Sequence, residues 1–342
     1  MSRLNFNALT HWVTAAAVRH PKRLDAELAA HADVSLRTAR RALVRLSELN
    51  WLVSAGTPRR PLYRPGLLRQ VVQRYALAGL EEDAPWDIDF APMFALPAAV
   101  NRMVQHAFSE LLNNAIDHSG GTHVTVSLRQ TASHVQLLVS DNGCGLFQNI
   151  AEAFAIDNPQ LAMLELSKGK LTSQPRRHSG HGLFFTSRLA EVFDLHANDT
   201  AFQKRAWDGQ GWHLQRALRH EGTSVYASFA LDTPRTLDAV RKAHSLDGLG
   251  ACFERTVVPL RLLTSAVSGL ESRAQARRIG ARLNEFQRVE LDFSGVPDIG
   301  HAFADELLRV LAREAPAVEL VPLNMSPAVA AMVGSVSAGV AA

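Results

Sequence analysis

The sequence predicts an α+β protein of several domains, and three observations lead to this prediction. Short helical patterns and a hairpin pattern fill a basic region at residues 1–75. A long apolar helix followed by alternating strands occupies the middle of the chain. From Leu237 onward, strands and helices alternate in a smaller segment. A chain of 342 residues is long enough for two or three such domains.

Basic residues are concentrated at the beginning of the chain. Residues 1–75 contain 13 Lys and Arg against 4 Asp and Glu, a net charge of +9. The remainder carries 23 against 29, a net charge of −6. A basic region attached to a mildly acidic body predicts one end that binds a polyanion.

The composition is that of an ordinary globular protein, with 47% hydrophobic and 20% charged residues. The N-terminus lacks the layout of a signal peptide, and the uncharged stretch Leu320–Ala342 is too weakly apolar to span a membrane. Cys144 and Cys252 lack metal-ligand spacing. We therefore expect a cytoplasmic protein with reduced thiols and no membrane partner.

Three helices are predicted in the basic region. Helical spacing covers Ala8–Val18, Leu24–Ala32 and Leu36–Leu49, and Ser35 is placed to cap the third helix. Apolar residues form one stripe of this helix, and arginines occupy its other face. Strand patterns around residues 51–53 and 62–63 then bracket the basic tip Gly56–Arg60, which predicts a hairpin.

This order of elements resembles a winged helix-turn-helix domain, in which the third helix enters the major groove of DNA and the hairpin contacts phosphates. The resemblance implies that residues 1–75 form a DNA-binding domain. The candidate DNA contacts are Arg37, Arg40, Arg41, Arg59 and Arg60. A helical protein-interaction module with a solvated arginine face is the alternative. A helical segment at Leu67–Leu77 and a polar break at Glu81–Pro85 follow, and we interpret residues 76–94 as a linker.

The helix that begins near Ala98 carries polar residues on one face. Glu110 and Asn114 are four residues apart, so both can meet the same ligand. An Asn side-chain oxygen is an adequate ligand for Mg²⁺, which keeps its other positions for water and phosphate. Glu110, one turn away, is placed to orient or deprotonate an attacking water. A residue that is not catalytic is the alternative for Glu110.

Three glycine-containing motifs follow this helix. The first, Asp141–Gly145, ends an apolar strand. Asp141 is able to accept a hydrogen bond from an exocyclic amine, and Gly143 and Gly145 let a purine approach the backbone. Taken alone, this motif is also typical of an ordinary turn. Ser179–Phe185 opens a helix whose backbone N–H groups suit phosphate. Gly222–Val225 starts a late strand, in which Thr223 is a candidate hydrogen-bond partner near the base.

In this order and spacing, the four pieces resemble the conserved boxes of the GHKL superfamily, which includes gyrase and sensor histidine kinases. The resemblance implies a Bergerat α/β sandwich at residues 95–233 that binds ATP and Mg²⁺. It assigns the metal ligand to Asn114, the adenine contact to Asp141 and the catalytic role to Glu110. The candidate ATP-binding residues are Asn114, Asp117, Asp141, Gly143, Gly145, Gly180, His181, Gly182 and Thr223.

The segment Leu146–Ser179 lies where that superfamily has a mobile ATP lid. Its basic residues are placed either to reach phosphates or to remain solvated; they are Lys168, Lys170, Arg176 and Arg177. Members that hydrolyse ATP, and the anti-sigma serine kinases, have Glu at the position of Glu110, whereas sensor histidine kinases have Asn. The resemblance therefore disfavours a sensor histidine kinase.

Residues 236–342 resemble a STAS-like domain followed by a C-terminal tail. The pattern is a strand, a loop and a helix at Arg288–Leu307. In related anti-sigma factor antagonists, a serine after the loop aspartate is phosphorylated, but Ile299 and Gly300 occupy that region here. This departure argues against self-phosphorylation, and we expect Ser294 to be a turn or cap residue. The resemblance implies a protein partner at this domain.

These resemblances together imply a regulatory protein that binds, and hydrolyses, ATP. Binding of Mg-ATP is expected to control the arrangement of the DNA-binding and STAS-like domains. The alternatives are an anti-sigma-type serine/threonine kinase that acts on a partner protein, and a scaffold with a structural nucleotide. A homodimer is compatible with the sequence, which leaves the oligomeric state open.

Overall fold

The computed structural model of the protein describes residues 4–57, 60–174, 179–208, 211–264 and 269–338. The chain divides into two compact units. One comprises Met1–Gly143 with Ser224–Pro234, and the other comprises Cys144–Thr223 with Arg235–Ala342. Within the ranges just given, no helix is long and apolar enough to cross a membrane.

Three helices and a hairpin begin the first unit, as the sequence predicts. They are α1 (Phe6–Arg19), α2 (Leu24–His31), α3 (Leu36–Glu48), β1 (Leu52–Thr57) and β2 (Arg60–Pro65). Ser35 caps α3 by accepting a hydrogen bond from the Thr38 N–H at 3.2 Å. The middle of the apolar stripe of α3 is buried in a core shared with α1, α2 and the hairpin, where Ala39, Leu43 and Leu46 are fully enclosed. The predicted ends of the stripe, Leu36 and Leu49, are 48% and 40% exposed instead.

The helix predicted at Leu67–Leu77 is wrong, because the chain forms a strand there. β3 (Arg69–Ala76) pairs antiparallel with β4 (His123–Gln130), and Val71 lies opposite Leu128. The Gln70 N–H also donates to Thr14 Oγ1 on α1 at 3.0 Å. A short apolar pattern of this kind fits either a helix or a strand. Pairing with the edge of β4 favours the strand here.

The segment interpreted as a linker contains short helical turns with buried aromatic residues. They are α4 (Asp83–Pro85), a π-helical turn (Trp86–Phe90) and a 3₁₀ turn (Ala91–Met93). The rings of Trp86 and Phe90 lie 5.2 and 5.1 Å from the ring of Phe108 on α5 (Ala98–His118). These contacts pack the turns against α5, so the segment after the polar break at Glu81–Pro85 is not an unstructured linker.

A sheet completes the first unit. β4 pairs with β5 (His134–Asp141), which pairs in turn with Ser224–Ala230, and all of these pairings are antiparallel. Alternate residues of β4 and β5 are fully buried, as the period of two requires. α5 contacts β5 and contributes its apolar residues to the same core.

The second unit begins with three helices and two long strands. They are α6 (Leu146–Phe154), α7 (Pro159–Lys168), α8 (Gly182–Leu189), β6 (Val192–Arg205) and β7 (Trp212–Ala230). β6 and β7 are neighbours, and the end of β7 is the strand that pairs with β5 in the first unit. β7 begins at Trp212, well before the predicted start of the late strand at Gly222, and the sequence pattern did not predict β6.

A parallel three-stranded sheet lies at the C-terminal end of the second unit, in the order β10–β9–β8. The helices and strands of this part of the chain are α9 (Leu237–Ala243), β8 (Arg255–Pro259), α10 (Arg273–Gly280), β9 (Arg288–Asp292), α11 (His301–Asp305), α12 (Leu311–Glu314), β10 (Glu319–Leu323) and α13 (Pro327–Ala338). There are also 3₁₀ turns at Leu260–Leu263 and Leu283–Glu285 and a π-helical turn at Glu306–Val310. Ser294 is a turn residue, because its N–H and hydroxyl both donate to Asp292 Oδ1.

Candidate functional site

One face of α5 carries three polar side chains at successive turns. His106, Glu110 and Asn114 are spaced by four residues and are all partly exposed. His106 Nδ1 lies 3.8 Å from Glu110 Oε1, and the two side chains are 12% and 37% exposed. Glu110 therefore combines access to solvent with a neighbouring imidazole. Asp117 lies one turn beyond Asn114 and is also partly exposed.

The loop after β5 packs against the C-terminal end of α5. A Cβ atom on Gly143 would lie 2.1 Å from the carbonyl oxygen of Ser119, so only glycine permits this approach. The buried carboxylate of Asp141 accepts a hydrogen bond from the Gly143 N–H at 2.9 Å. Asn142 Oδ1 accepts from the N–H groups of Thr122 and His123. The first unit thus holds Asp141 close to the helix that carries Asn114.

In the second unit, one asparagine joins two of the predicted motifs. Asn198 Nδ2 donates to the Cys144 carbonyl oxygen at 2.8 Å, and Asn198 Oδ1 accepts from the Gly222 N–H at 3.1 Å. Gly145 (φ +89°) packs on the same side chain. Thr223 Oγ1 accepts from the Leu146 N–H at 2.9 Å. These bonds hold Gly145 and Thr223 beside each other.

The glycine-rich motif before α8 forms a tight turn. Gly180 has a φ of +68°, and a Cβ atom there would lie 2.6 Å from the carbonyl carbon of Lys170. α8 begins at Gly182, and in the part of the chain that the structure describes no side chain caps its N-terminus. The first N–H groups of the helix therefore face the position where the helix dipole favours an anion.

The ring of His181 contacts aromatic residues. Its centroid lies 5.0 Å from that of Phe253 and 6.0 Å from that of Phe185, both edge to face. Burial, with the nearby charges of Lys170 and Arg241, lowers the pKa of His181 to about 4, so the ring is neutral at physiological pH. The side chain of His181 thus packs against aromatic rings and holds the turn in place, which leaves its backbone for contact with a phosphate.

The basic residues of the segment Leu146–Ser179 have specific partners. Lys168 is fully buried, where its Nζ donates to Glu165 Oε1 at 2.5 Å and to the Ala281 carbonyl at 2.8 Å. Lys170 Nζ donates to the Glu285 carbonyl at 2.5 Å. Lys168 is therefore neither solvated nor directed at a phosphate, because Glu165 on the same helix and the distant Ala281 carbonyl accept from its Nζ. Arg176 and Arg177 lie outside the described residues.

Sequence reasoning missed His106 and Asn198. His106 precedes Glu110 by four residues, so the helical spacing that linked Glu110 to Asn114 would also have found it. Asn198 has a φ of +54°, and a left-handed Asn within a strand has no pattern in the sequence that reveals it. Its partners lie more than 20 residues away along the chain.

The arginines of α3 form an exposed basic surface. Arg37, Arg40, Arg41 and Arg45 line a surface depression together with Val44 and Glu48. Arg40 Nε lies 2.9 Å from Asp25 Oδ2, whereas Arg37 and Arg41 project from the helix as exposed residues. Arg60 is exposed at the start of β2, and Arg59 lies outside the described residues.

Within the first unit, the amide oxygen of Asn114 and the buried carboxylate of Asp141 have the chemistry that a magnesium ion and an amine require. Within the second unit, the start of α8, which no side chain caps, has N–H groups that suit phosphate. Among the described residues, no group of three or more His, Cys, Asp or Glu is arranged to hold a metal ion. A magnesium ion held by one amide oxygen and the phosphates needs no such group.

Comparisons with known proteins identify two domains. The profile of the family described as histidine kinase-, DNA gyrase B-, and HSP90-like ATPase matches residues 99–233. The profile of a STAS-like domain of unknown function (DUF4325) matches residues 275–330. A comparison with curated proteins finds no match to the chain. Neither matched range includes residues 1–75, whose assignment as a winged helix stays a prediction. The chain therefore contains an ATPase domain of the GHKL type, which implies ATP binding, and a STAS-like domain.

Proposed function

We propose that this chain is a regulatory protein that binds and hydrolyses Mg-ATP, and that nucleotide binding controls the arrangement of a DNA-binding domain and the STAS-like domain. The observation that carries the proposal is the polar face of α5, where Glu110 and Asn114 lie one turn apart. The loop of Asp141 packs against the end of the same helix through Gly143. The match of residues 99–233 to an ATPase family supports ATP as the ligand of this face.

Each motif has a distinct role in nucleotide binding. Asn114 holds the magnesium ion, which supplies charge neutralisation at the phosphates when bound. Asp141 accepts a hydrogen bond from the adenine amino group, and Thr223 stabilises the loop beside it. The backbone at Gly180–Gly182 donates to phosphate oxygens. Gly143 and Gly145 permit close approach of the base. Asp117 lies one turn after Asn114 on α5 and supports the metal site.

Glu110 acts as the general base in hydrolysis. A carboxylate that is about one third exposed is accessible to water, and its helix places it one turn from Asn114. His106 lies beside Glu110 Oε1 and holds the carboxylate in place. His106 is therefore a positioning residue, because it acts through Glu110.

The basic surface of α3 serves as the DNA contact. Arg37 and Arg41 are exposed, and Val44, which lines the same depression and is 58% exposed, offers a methyl group to a base edge. Arg60 and the hairpin tip add charge for the phosphate backbone. Arg40 contributes less, since Asp25 already pairs with it.

Incubation of the purified chain with Mg-ATP labelled on its γ-phosphate tests the proposal. Release of free labelled phosphate, changed by DNA fragments, is the expected result. Label on the chain or on an added partner protein would instead identify a serine/threonine kinase, which Glu110 also permits by resemblance. The absence of any affinity for adenine nucleotides would refute both functions.

A further inference from the structure

A buried ion pair within α7 contacts the STAS-like domain. Lys168 and Glu165 of α7 are 0% and 2% exposed, and Lys168 Nζ also donates to the carbonyl oxygen of Ala281, within the matched STAS-like range. The hydroxyl of Thr256 donates to the Lys168 carbonyl at 2.6 Å. Two charges removed from water in this way require well-placed partners, so the end of α7 is held firmly.

Arg282 is the central residue of this contact. Its Nη1 lies 3.3 Å from Glu165 Oε2, and its Nη2 donates to the Gly169 carbonyl at 3.1 Å and to Glu285 Oε2 at 2.8 Å. Arg282 adopts a φ of +62°, a left-handed conformation that side chains other than glycine rarely take. The surrounding contacts offset the cost of this backbone conformation.

Phe253 forms a second contact beside the first. A Cβ atom on Gly169 would lie 2.5 Å from its Cε1, so the ring packs directly on the glycine backbone. The ring centroid of Phe253 lies 5.0 Å from that of His181 and 5.4 Å from that of Phe286. Lys170 Nζ lies over the Phe286 ring at 4.4 Å. Residues 169–170 are thus enclosed by aromatic rings.

These contacts extend to the phosphate-binding turn. Gly180 packs on the backbone of Lys170 and Leu171, at a separation that leaves no room for a Cβ atom. His181, the next residue, rests its ring on Phe253. The turn therefore has support on both sides, from residues 169–171 and from Phe253.

We propose that Arg282 and Phe253 position the phosphate-binding backbone of Gly180–Gly182, so that the affinity for ATP depends on the STAS-like domain. The inference rests on the proposed function, because it assigns a support to the site that binds the triphosphate. Backbone donors bind phosphate well only when they are held in place beforehand. By linkage, ATP binding in turn stabilises the contact that holds Arg282, and a partner that loosens this contact weakens ATP binding by the same factor.

Substitutions at the two residues test the inference in the full chain. Arg282→Asn removes the guanidinium group but places there a residue that tolerates a positive φ, and the Lys168–Glu165 pair remains neutral overall. Phe253→Leu keeps an apolar side chain at position 253 but removes the aromatic ring that contacts His181. Arg278→Ala is the matched control, because Arg278 is an exposed arginine on α10. Calorimetric titration measures the affinity of each variant for Mg-ATP and for adenosine.

Both variants should weaken ATP binding about tenfold, while adenosine, which lacks phosphates, binds as it does to the wild type. Arg278→Ala should bind both as the wild type does. Equal ATP affinity in all four proteins would overturn the inference and leave ATP binding standing. A parallel loss of ATP and adenosine affinity would also overturn it, since it indicates general destabilisation. If the wild type and Arg278→Ala fail to bind ATP, the proposed function itself is wrong.

Discussion

Asn198 donates a hydrogen bond of 2.8 Å from Nδ2 to the carbonyl oxygen of Cys144, 54 residues earlier in the chain. Its Oδ1 accepts from the Gly222 N–H, so one amide side chain satisfies one backbone group in the loop after β5 and one within β7. The loop contains Gly145, and Thr223 follows Gly222 in the strand. Asn198 is therefore the residue that holds these motifs in register within the second unit.

Replacement of Asn198 by glycine should lower the free energy of unfolding by about 2 kcal/mol, because two hydrogen bonds are lost. Glycine accepts the φ of +54°, so no strain is added. Urea denaturation measures this change, and calorimetry should show weaker ATP binding. Asp199→Asn, at the exposed neighbouring position, is the control. Unchanged stability in Asn198→Gly would show that the two bonds contribute nothing.

Replacement of Glu110 by alanine should reduce ATP turnover by about 10²- to 10⁴-fold, because the general base is removed. Binding of ATP should change little, since Glu110 is not assigned to hold the nucleotide. Phosphate release and calorimetry measure the two quantities separately. Gln105→Ala, exposed on the same helix, should behave as the wild type. A native turnover rate in Glu110→Ala would exclude the assigned role.

Replacement of Asn114 by alanine should abolish the effect of magnesium on ATP affinity. In the wild type, Mg²⁺ should strengthen ATP binding by at least about tenfold over binding in EDTA. Asn113→Ala removes the same group from the adjacent position and should keep the magnesium effect. Titrations with Mg²⁺ and with EDTA give both ratios. A magnesium effect that persists in Asn114→Ala would place the metal ligand elsewhere.

The histidine at position 244 should make the fold sensitive to acid. Burial and the nearby Arg188 lower the pKa of His244 to about 3, whereas an unfolded histidine has a pKa near 6.5. Between these values the unfolded chain binds more protons, so stability falls as the pH falls below 6.5. The loss from pH 7 to pH 5 should be about 2 kcal/mol from this residue.

His244→Phe should remove that part of the pH dependence, although it also loses the hydrogen bond between His244 Nδ1 and the Arg255 carbonyl oxygen. Denaturant unfolding at the two pH values gives the comparison. His301→Gln, an exposed histidine, should keep the wild-type pH dependence. An equal loss of stability in His244→Phe and the wild type would contradict the lowered pKa.

Substitution of Arg37 or Arg41 by alanine should weaken DNA binding and reduce the slope of log affinity against log salt by about one per residue, since each arginine is expected to neutralise one phosphate. Arg40→Ala should have a smaller effect because Asp25 already pairs with Arg40. Fluorescence anisotropy at several salt concentrations measures the slopes. Arg129→Ala, exposed on β4, is the control. Salt slopes that match the wild type in Arg37→Ala and Arg41→Ala would remove α3 from the DNA contact.

Elements with strong local signals could be predicted from the sequence. The start of α5 at Ala98 and the start of β9 at Arg288 match the predictions because apolar periodicity marks them clearly. Ser35 caps α3 as predicted, since capping depends only on adjacent residues. The polar face of α5 likewise follows from the spacing of Glu110 and Asn114 alone.

Features that depend on distant partners could not be predicted. Val71 and its neighbours formed a strand because β4 offered an edge. Lys168 is buried because Glu165 and Ala281 lie around it, and no local pattern distinguishes it from a solvated lysine. Asn198 has its role through partners in a distant loop and in β7. Tertiary contacts decided each of these cases, and local propensity did not.

The position of β3 determines where the ATPase domain can be cut from the chain. Residues 69–76 precede the matched domain, yet they hydrogen-bond along the whole of β4. A fragment that starts near residue 95 would leave the backbone N–H and C=O groups of β4 open to pairing with other molecules. Such a fragment should aggregate on expression, whereas one that begins before Arg69 keeps its outer strand covered.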